Sequence, residues 1–255
     1  MSKSNSGENQ DPTRTGAIHL VLQGKGGVGK SLVATWLAQY LLSRNKEVRC
    51  IDSDPVNRSL AQYSALNAEK LDLVNGDGVV ERARFDDLLD RFATTDVTFL
   101  LDSGATVFLP LWSFIVEIGM IGTLRDMGRQ VYLHCPVCGG DMLHDTLMGF
   151  DTLAKSALDR NIILWLNEYF GGITQDGKTF EEMTAFKQHK DKVLGSVGIP
   201  QRSPDTFGMT IRRMREKKLT FEEAIQSEAF RLADKSRLHA VRRKVFDQLD
   251  QLQML

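Results

Sequence analysis

A glycine-rich segment near the start of the chain has the residue types and spacing to bind phosphate. It reads Gly24-Lys25-Gly26-Gly27-Val28-Gly29-Lys30-Ser31, between an apolar run and a helical pattern. Glycines let the backbone curl so that successive N–H groups point at phosphate oxygens, at the positive end of the helix dipole. Lys30 would neutralise the β- and γ-phosphates, and the Ser31 hydroxyl would ligate Mg²⁺. The segment predicts a site for a nucleoside triphosphate with Mg²⁺.

Carboxylates close two later apolar runs. One run ends in Asp52-Ser53-Asp54-Pro55 and another ends in Asp102. Ligands of open parallel sheets bind beyond the carboxyl ends of the strands, so we expect these side chains near the phosphates. Asp102 would hold Mg²⁺, usually through water, and Asp52 would be a supporting contact to the metal or to water. The alternative is structural, because Asp-Pro pairs initiate turns and an Asp that ends a strand is a weak signal.

The elements that must position these residues alternate between strand and helix patterns. Short apolar runs at 17–22, 48–51, 97–101, 131–135, 162–166 and 193–199 are each followed by a turn and a helical pattern. This order predicts an α/β fold with a doubly wound, mainly parallel sheet and helices on both faces. The first helix should bury Val33, Trp36, Leu37, Tyr40 and Leu41. Residues 71–85 are rich in Gly, Asn and Asp and predict a loop.

Length and composition are typical of one soluble α/β domain. The chain has 255 residues, with 32 Lys and Arg against 33 Asp and Glu, so no global charge drives it onto nucleic acid or membranes. We expect residues 1–15 to be a disordered lead-in and residues 16–255 to form a single domain. The lead-in lacks the apolar core of a signal peptide, and three cysteines do not suit a disulfide framework. These features predict a cytoplasmic protein.

The early lysine, Lys25, makes the glycine-rich segment resemble the deviant Walker A motif of the ParA/MinD family of P-loop ATPases. The resemblance implies ATP binding and hydrolysis by a homodimer that encloses two ATP molecules. In such dimers Lys25 would reach the nucleotide of the partner subunit, and Lys30 would act on its own. The segment around Asp54 resembles switch I, which implies that Asp54 orients the attacking water. The alternative for Lys25 is a solvated surface lysine.

The same family suggests how adenine would be held. Several members use an Asn at the end of a later strand to hydrogen-bond the base, and Asn167 follows the run at 162–166. Pro200 resembles a residue that lines the base. Asn167 could instead be only a turn residue. Family members commonly continue the Asp102 segment as Asp-x-Pro, whereas this chain has Asp102-Ser103-Gly104.

Further segments resemble one branch of the family, proteins of conjugative transfer of broad-host-range plasmids. They are the surroundings of the glycine-rich segment, residues 51–57, Gly171-Gly172 and residues 219–221. The resemblance implies an ATP-switched role in conjugative transfer with a protein partner. The alternative is a ParA/MinD-like protein that coats DNA or membrane, and a third class is a small-molecule kinase or ligase, for which no second-substrate motif is present.

Two other features leave their function open. Cys135 and Cys138 form a Cys-x-x-Cys at an expected strand-to-helix turn, which is either structural, a thiol redox pair or half of a metal site shared in a dimer. A terminal helix is expected at about 229–250, with an apolar stripe next to Arg242, Arg243 and Lys244. It would dock on the sheet or bind DNA or membrane, the last implying a peripheral location at the inner membrane.

Overall fold

A computed structural model of the chain describes residues 16–77, 79 and 81–254. The expected lead-in, residues 1–15, lies outside the described residues.

The centre of the described part is a twisted sheet of seven parallel strands in the order β3-β2-β4-β1-β5-β6-β9. Each apolar run of the sequence forms one of its strands, and β3 is added at the edge. A separate antiparallel hairpin is formed by β7 and β8. The strands are β1 Ile18–Val21, β2 Val48–Asp52, β3 Glu69–Lys70, β4 Thr98–Asp102, β5 Val131–Cys138, β6 Ile162–Asn167, β7 Thr174–Gln175, β8 Lys178–Thr179 and β9 Val193–Ile199.

Helices cover both faces of the sheet, so the predicted doubly wound α/β fold is confirmed. Apolar side chains of α2 to α6 pack on one face, and those of α1 and α7 to α9 pack on the other. The helices are α1 Lys30–Ser43, α2 Arg82–Thr94, α3 Phe108–Glu117, α4 Met120–Asp126, α5 Leu143–Ser156, α6 Thr184–His189, α7 Met209–Glu216, α8 Phe221–Gln226 and α9 Leu232–Asp250.

The expected stripe of α1 is buried as predicted, with Val33, Trp36, Leu37, Tyr40 and Leu41 all at most 3% exposed. This burial fixes α1 against the sheet and therefore fixes the glycine-rich segment that precedes it. The position of that segment follows from packing of an apolar helix face.

Two expected boundaries are wrong. Residues 82–85 were expected in a loop but belong to α2, because Phe85, Leu88 and Phe92 recur at helical spacing and are buried in the core. Helix α9 begins at Leu232 rather than near residue 229, because the Asp234 carboxylate accepts a hydrogen bond from the backbone N–H of Arg231 and caps the helix there.

None of the described helices alone is long and apolar enough to cross a membrane. Helices α3 and α4, bent by 54°, meet that criterion only as a pair and only by length and composition.

Candidate functional site

The glycine-rich segment follows β1 and leads directly into α1, at the carboxyl edge of the sheet. Gly27 and Gly29 have φ angles of 78° and 98°, which favour glycine. A Cβ on Gly29 would also lie 3.2 Å from the Asn167 amide nitrogen. No side chain caps the start of α1. The first backbone N–H groups of a helix have no intrahelical partner, so without a side-chain cap those of α1 are available to an anion.

The two lysines of the segment point to different places. The Lys30 ammonium donates to the backbone carbonyl of Lys25 at 2.9 Å and is only 7% exposed. Burial lowers the pKa of Lys30, and the carboxylates of Asp102 and Asp54 partly offset that effect. The Lys25 ammonium lies 2.7 Å from the Asp145 carboxylate of α5, and this contact lowers the pKa of Asp145. Lys30 thus faces the phosphate cradle, whereas Lys25 is held at its rim by α5.

Asp102 ends β4 in the interior beside the cradle. Both of its carboxylate oxygens are buried and have no hydrogen-bond partner of acceptable geometry among the described residues. Burial raises its pKa to about 7, although the nearby Ser31 hydroxyl and Lys30 charge oppose the shift. A buried carboxylate without partners is costly unless a cation joins it. The donor set of Asp102 and Ser31 therefore fits Mg²⁺, a hard cation that prefers oxygen ligands.

The carboxylates of Asp52 and Asp54 both accept hydrogen bonds from backbone N–H groups. The two Asp52 oxygens accept the N–H groups of Asp54 and Ala61 at 3.1 and 2.9 Å, and burial raises the pKa of Asp52. Asp54 accepts the N–H groups of Val56 and Asn57 and the Asn57 amide. Asp52 is paired with Asp102 across the sheet, so the three carboxylates do share one edge. Asp52 anchors the segment that carries Asp54, and Asp54 also forms the turn that follows it.

Asn167 ends β6 and contacts the cradle itself. Its Nδ2 donates to the Val28 carbonyl at 3.1 Å, and its Oδ1 accepts the Tyr169 N–H at 3.1 Å. The Asn167 side chain also contacts the Cys138 thiol and opposes the rise in its pKa, and one oxygen lone pair remains for another partner. Asn167 and Pro200 line the same cleft as the glycine-rich segment. Both residues expected to contact the base therefore lie in the cleft. Asn167 also fixes the glycine-rich segment through its hydrogen bond to Val28.

Cys135 lies within β5 and Cys138 is its last residue, so only Cys138 borders the expected strand-to-helix turn. Residues three apart in a strand point to opposite faces and are separated by about 10 Å. Cys135 packs in the core on one face, and the Cys138 thiol donates to the Val28 carbonyl on the other. Burial raises the pKa of both thiols, that of Cys138 to about 11. A disulfide needs a much shorter separation, and among the described residues no cluster of three or more His, Cys, Asp or Glu side chains is arranged to hold a metal ion.

Helix α9 turns its apolar stripe toward the sheet. Leu238, Val241, Val245 and Leu249 are buried in the core that α1 shares. The docked alternative is therefore correct for these side chains. They are not available to a membrane in this conformation.

Three residues at the site were not singled out from the sequence. A Cβ on Gly104 would lie 3.0 Å from the Asp54 carboxyl group, so the glycine lets the β4 end approach Asp54. Asn57 holds Asp54, and Asp145 holds Lys25. Gly104 and Asn57 stand close in sequence to the predicted carboxylates and could have been noticed. Asp145 carries no local signal, because it meets Lys25 only through the fold.

Known proteins resemble the chain in sequence and in fold. The profile of the family described as the CobQ/CobB/MinD/ParA nucleotide binding domain matches residues 19–208. Two Escherichia coli proteins named TraL are 38% and 36% identical to it, over 91% and 93% of this chain and 97% and 99% of their own lengths.

The MinC:MinD cell division complex of Aquifex aeolicus has a chain that matches with a TM-score of 0.52 at 15% identity, over 89% of this chain and 94% of that chain. That likeness concerns the fold alone. The sequence matches cover the glycine-rich segment, the carboxylates and Asn167, and the chain therefore belongs to the CobQ/CobB/MinD/ParA family of nucleotide-binding domains and is similar over most of its length to TraL proteins.

Proposed function

We propose that the protein is a Mg²⁺-dependent ATPase that hydrolyses ATP slowly and acts as a molecular switch in plasmid conjugative transfer. The observation that carries the proposal is the buried carboxylate of Asp102, which lies in the interior beside Ser31 and Lys30 and has no hydrogen-bond partner of normal geometry among the described residues. A buried carboxylate costs free energy when no cation compensates its charge, and a bound metal–phosphate group would supply that cation. Similarity to TraL supports the assignment to conjugative transfer.

One set of residues would bind the phosphates and Mg²⁺, and another would orient the attacking water. Gly24, Gly26, Gly27, Val28 and Gly29 would hold the phosphates, with Lys30 neutralising their charge. Mg²⁺, when bound by Ser31 and Asp102 with Asp52 in support, would supply further charge neutralisation at the β- and γ-phosphates.

Asp54 would accept a hydrogen bond from the attacking water and so orient it. Its carboxylate lines the cleft and is kept in place by Asn57. Asn167 and Pro200 would contact adenine. The cytoplasm, where ATP is supplied, is the location that fits this proposal.

Dimerisation around two ATP molecules is part of the proposal. Lys25 lies at the rim of the cradle in an ion pair that is partly exposed on both sides. Exposed ion pairs contribute little free energy, so Lys25 can leave Asp145 for a phosphate of a partner subunit at small cost. A switch would then recruit its protein partner in the dimeric state.

Light scattering and phosphate release test the proposal together. We expect a monomer with ADP, a dimer with ATP and Mg²⁺, and turnover on the order of one per minute or slower, the range of unassisted nucleotide switches. Lys30→Ala should weaken ATP binding and abolish phosphate release. A protein that binds ATP and hydrolyses it but stays monomeric at all concentrations would contradict the switch and leave a simple ATPase.

A further inference from the structure

The cleft that contains the glycine-rich segment is larger than one nucleotide requires. Its volume is about 1040 Å³, at the top of the roughly 300–1,000 Å³ range of small-ligand pockets. One part is formed by the glycine cradle, Asp54, Asn167 and Pro200. The other part continues along α1 to Trp36 and Tyr63 and is closed by α7 and α9. We call this second part the side chamber, and define it by Trp36, Tyr63, Val241, Arg212, Arg215 and Lys244.

The side chamber has an apolar floor and a cationic rim. Trp36, Tyr63 and Val241 are buried, whereas Arg212, Arg215 and Lys244 are exposed at the cleft. Lys218 lines the cleft as well, and the acidic residues among its lining are Asp54 and Glu216. The chain as a whole has a formal net charge of −1, so the local positive charge is not a consequence of overall composition.

None of the rim cations forms an ion pair with any described residue. Neighbouring cations do pair: Arg242 contacts Glu222 at 3.0 Å, and Arg237 contacts Asp234 at 3.1 Å. Arg212 and Arg215 lie three residues apart on α7, a spacing at which like charges repel. An anion bound between them would relieve this repulsion.

A further observation links Arg215 to the floor of the chamber. Burial raises the pKa of Tyr63 and the Arg215 charge lowers it, so Arg215 lies close enough to act on that floor. Unpaired cations at the rim of one concave space are the complement of an anion.

We propose that the side chamber binds a second, phosphate-bearing small molecule next to the nucleotide. The apolar floor suits the planar or apolar part of such a molecule, and the cationic rim suits its phosphate group. An organic phosphate of nucleotide size therefore fits the chamber best. The inference rests on the proposed function only in placing the first nucleotide on the glycine cradle. It depends neither on hydrolysis nor on dimerisation.

Calorimetry with inorganic pyrophosphate tests the chamber. The full chain is first saturated with ADP in EDTA, which fills the cradle without Mg²⁺ and prevents pyrophosphate from binding there. Pyrophosphate should then bind with one-to-one stoichiometry. The double substitution Arg212→Gln with Arg215→Gln should weaken binding at least about tenfold, the effect of losing roughly 1.4 kcal/mol of charge-assisted contact.

Matched variants separate the site from general electrostatics and from misfolding. Lys217→Gln with Arg243→Gln removes the same charge from α9 and the end of α7 outside the cleft and should leave pyrophosphate affinity unchanged. Arg212→Lys with Arg215→Lys keeps both charges and should retain affinity within about threefold, since ammonium groups also bind phosphate as point charges. Thermal unfolding of each variant checks that the fold is intact.

Several results would overturn the proposal. The first is that pyrophosphate does not bind. The second is that the two double glutamine variants weaken pyrophosphate binding equally. The third is that a single-stranded oligonucleotide binds more tightly than pyrophosphate with the same dependence on the two arginines, which would make the chamber a nucleic-acid groove. ADP binding is titrated separately for every variant. A protein that does not bind ADP would contradict the proposed function. Whether pyrophosphate binding depends on Arg212 and Arg215 tests the side chamber, with or without ADP binding.

Discussion

The buried carboxyl group of Asp102 makes the stability of the ligand-free protein depend on pH. Its pKa of about 7 means that the folded chain without ligand pays to ionise this carboxyl group, whereas the unfolded chain ionises it near the ordinary value of 3.8. Because the folded pKa is raised, the folded state binds more protons than the unfolded state between these two values. The contribution of Asp102 to stability therefore falls as pH rises from about 4 to about 7 and levels off above that.

Asp102→Asn should stabilise the ligand-free protein at pH 8 by about 1–3 kcal/mol, since the neutral amide has no charge to desolvate. The same substitution should remove the additional stabilisation that Mg²⁺ gives to the ADP-bound protein. Urea unfolding with and without Mg²⁺ and ADP measures both effects. If the variant is less stable than the wild type and still gains stability from Mg²⁺, the carboxylate is not the metal ligand.

Asp54 has a structural task that complicates the obvious alanine substitution. Its carboxylate holds the turn at residues 55–57, so Asp54→Ala removes both the charge and the turn. Asp54→Asn keeps an oxygen for the two backbone N–H groups. It should bind ATP with nearly unchanged affinity and hydrolyse it at least about tenfold more slowly, because water orientation acts in the transition state.

Phosphate release and ATP titration are measured on both variants. Lost ATP affinity only in Asp54→Ala would reflect the turn, whereas unchanged hydrolysis in Asp54→Asn would remove Asp54 from the reaction.

At the level of elements, three central strands share a buried polar chain. The Trp165 indole N–H of β6 donates to His134 Nδ1 of β5 at 3.0 Å, which leaves the proton of that ring on Nε2. That N–H donates to His19 Nδ1 of β1 at 3.0 Å. His19 Nε2 then carries a hydrogen without a partner among the described residues. Burial lowers the pKa of both histidines, that of His19 to about 3.

The histidine chain predicts acid sensitivity with a defined sign. The folded pKa is lowered, so below about 6.5 the unfolded chain binds protons that the folded chain does not, and stability is lost as pH falls. Between pH 7 and 5.5 the wild type should lose about 1 kcal/mol more than His19→Gln, the contribution of one histidine. The exposed His239→Gln serves as control and should match the wild type. Chemical unfolding at both pH values gives the comparison, and identical slopes in all three proteins would show that His19 titrates normally.

At the scale of the whole molecule, the question is whether one chain can form a complete active site. The Lys25 ion pair with Asp145 shows where this lysine rests within a single chain, at the rim rather than in the cradle. A shared site would combine Lys30 of one subunit with Lys25 of its partner. Each of Lys25→Ala and Lys30→Ala should then abolish hydrolysis.

Mixing the two inactive variants should restore activity to at most about a quarter of wild type. Roughly half of randomly formed dimers are heterodimers, and in each of them one site regains both lysines while the other loses both. Phosphate release from the mixture is the measurement, and light scattering with ATP confirms that dimers form. If Lys25 serves its own subunit, every site still lacks one lysine. An inactive mixture of proven heterodimers would therefore assign Lys25 a local role.

The sequence by itself determined the sheet, the glycine cradle and the candidate carboxylates. Apolar runs of strand length and the pattern around Lys30 are local signals, because each depends on residues within a few positions of one another. The boundaries of α2 and α9 were less well determined, because packing of Phe85 and capping by Asp234 override composition at helix ends.

Only the tertiary structure decided which of these residues meet and what they hold. It separated Cys135 from Cys138 because β5 extends as far as Cys138, so that the pleat turns their side chains to opposite faces. It joined Lys25 to Asp145 and Asn167 to Val28, and it brought α7 and α9 around Trp36 to form the side chamber. Such contacts link segments far apart in the chain, so they follow from strand order and helix packing, which no local pattern encodes.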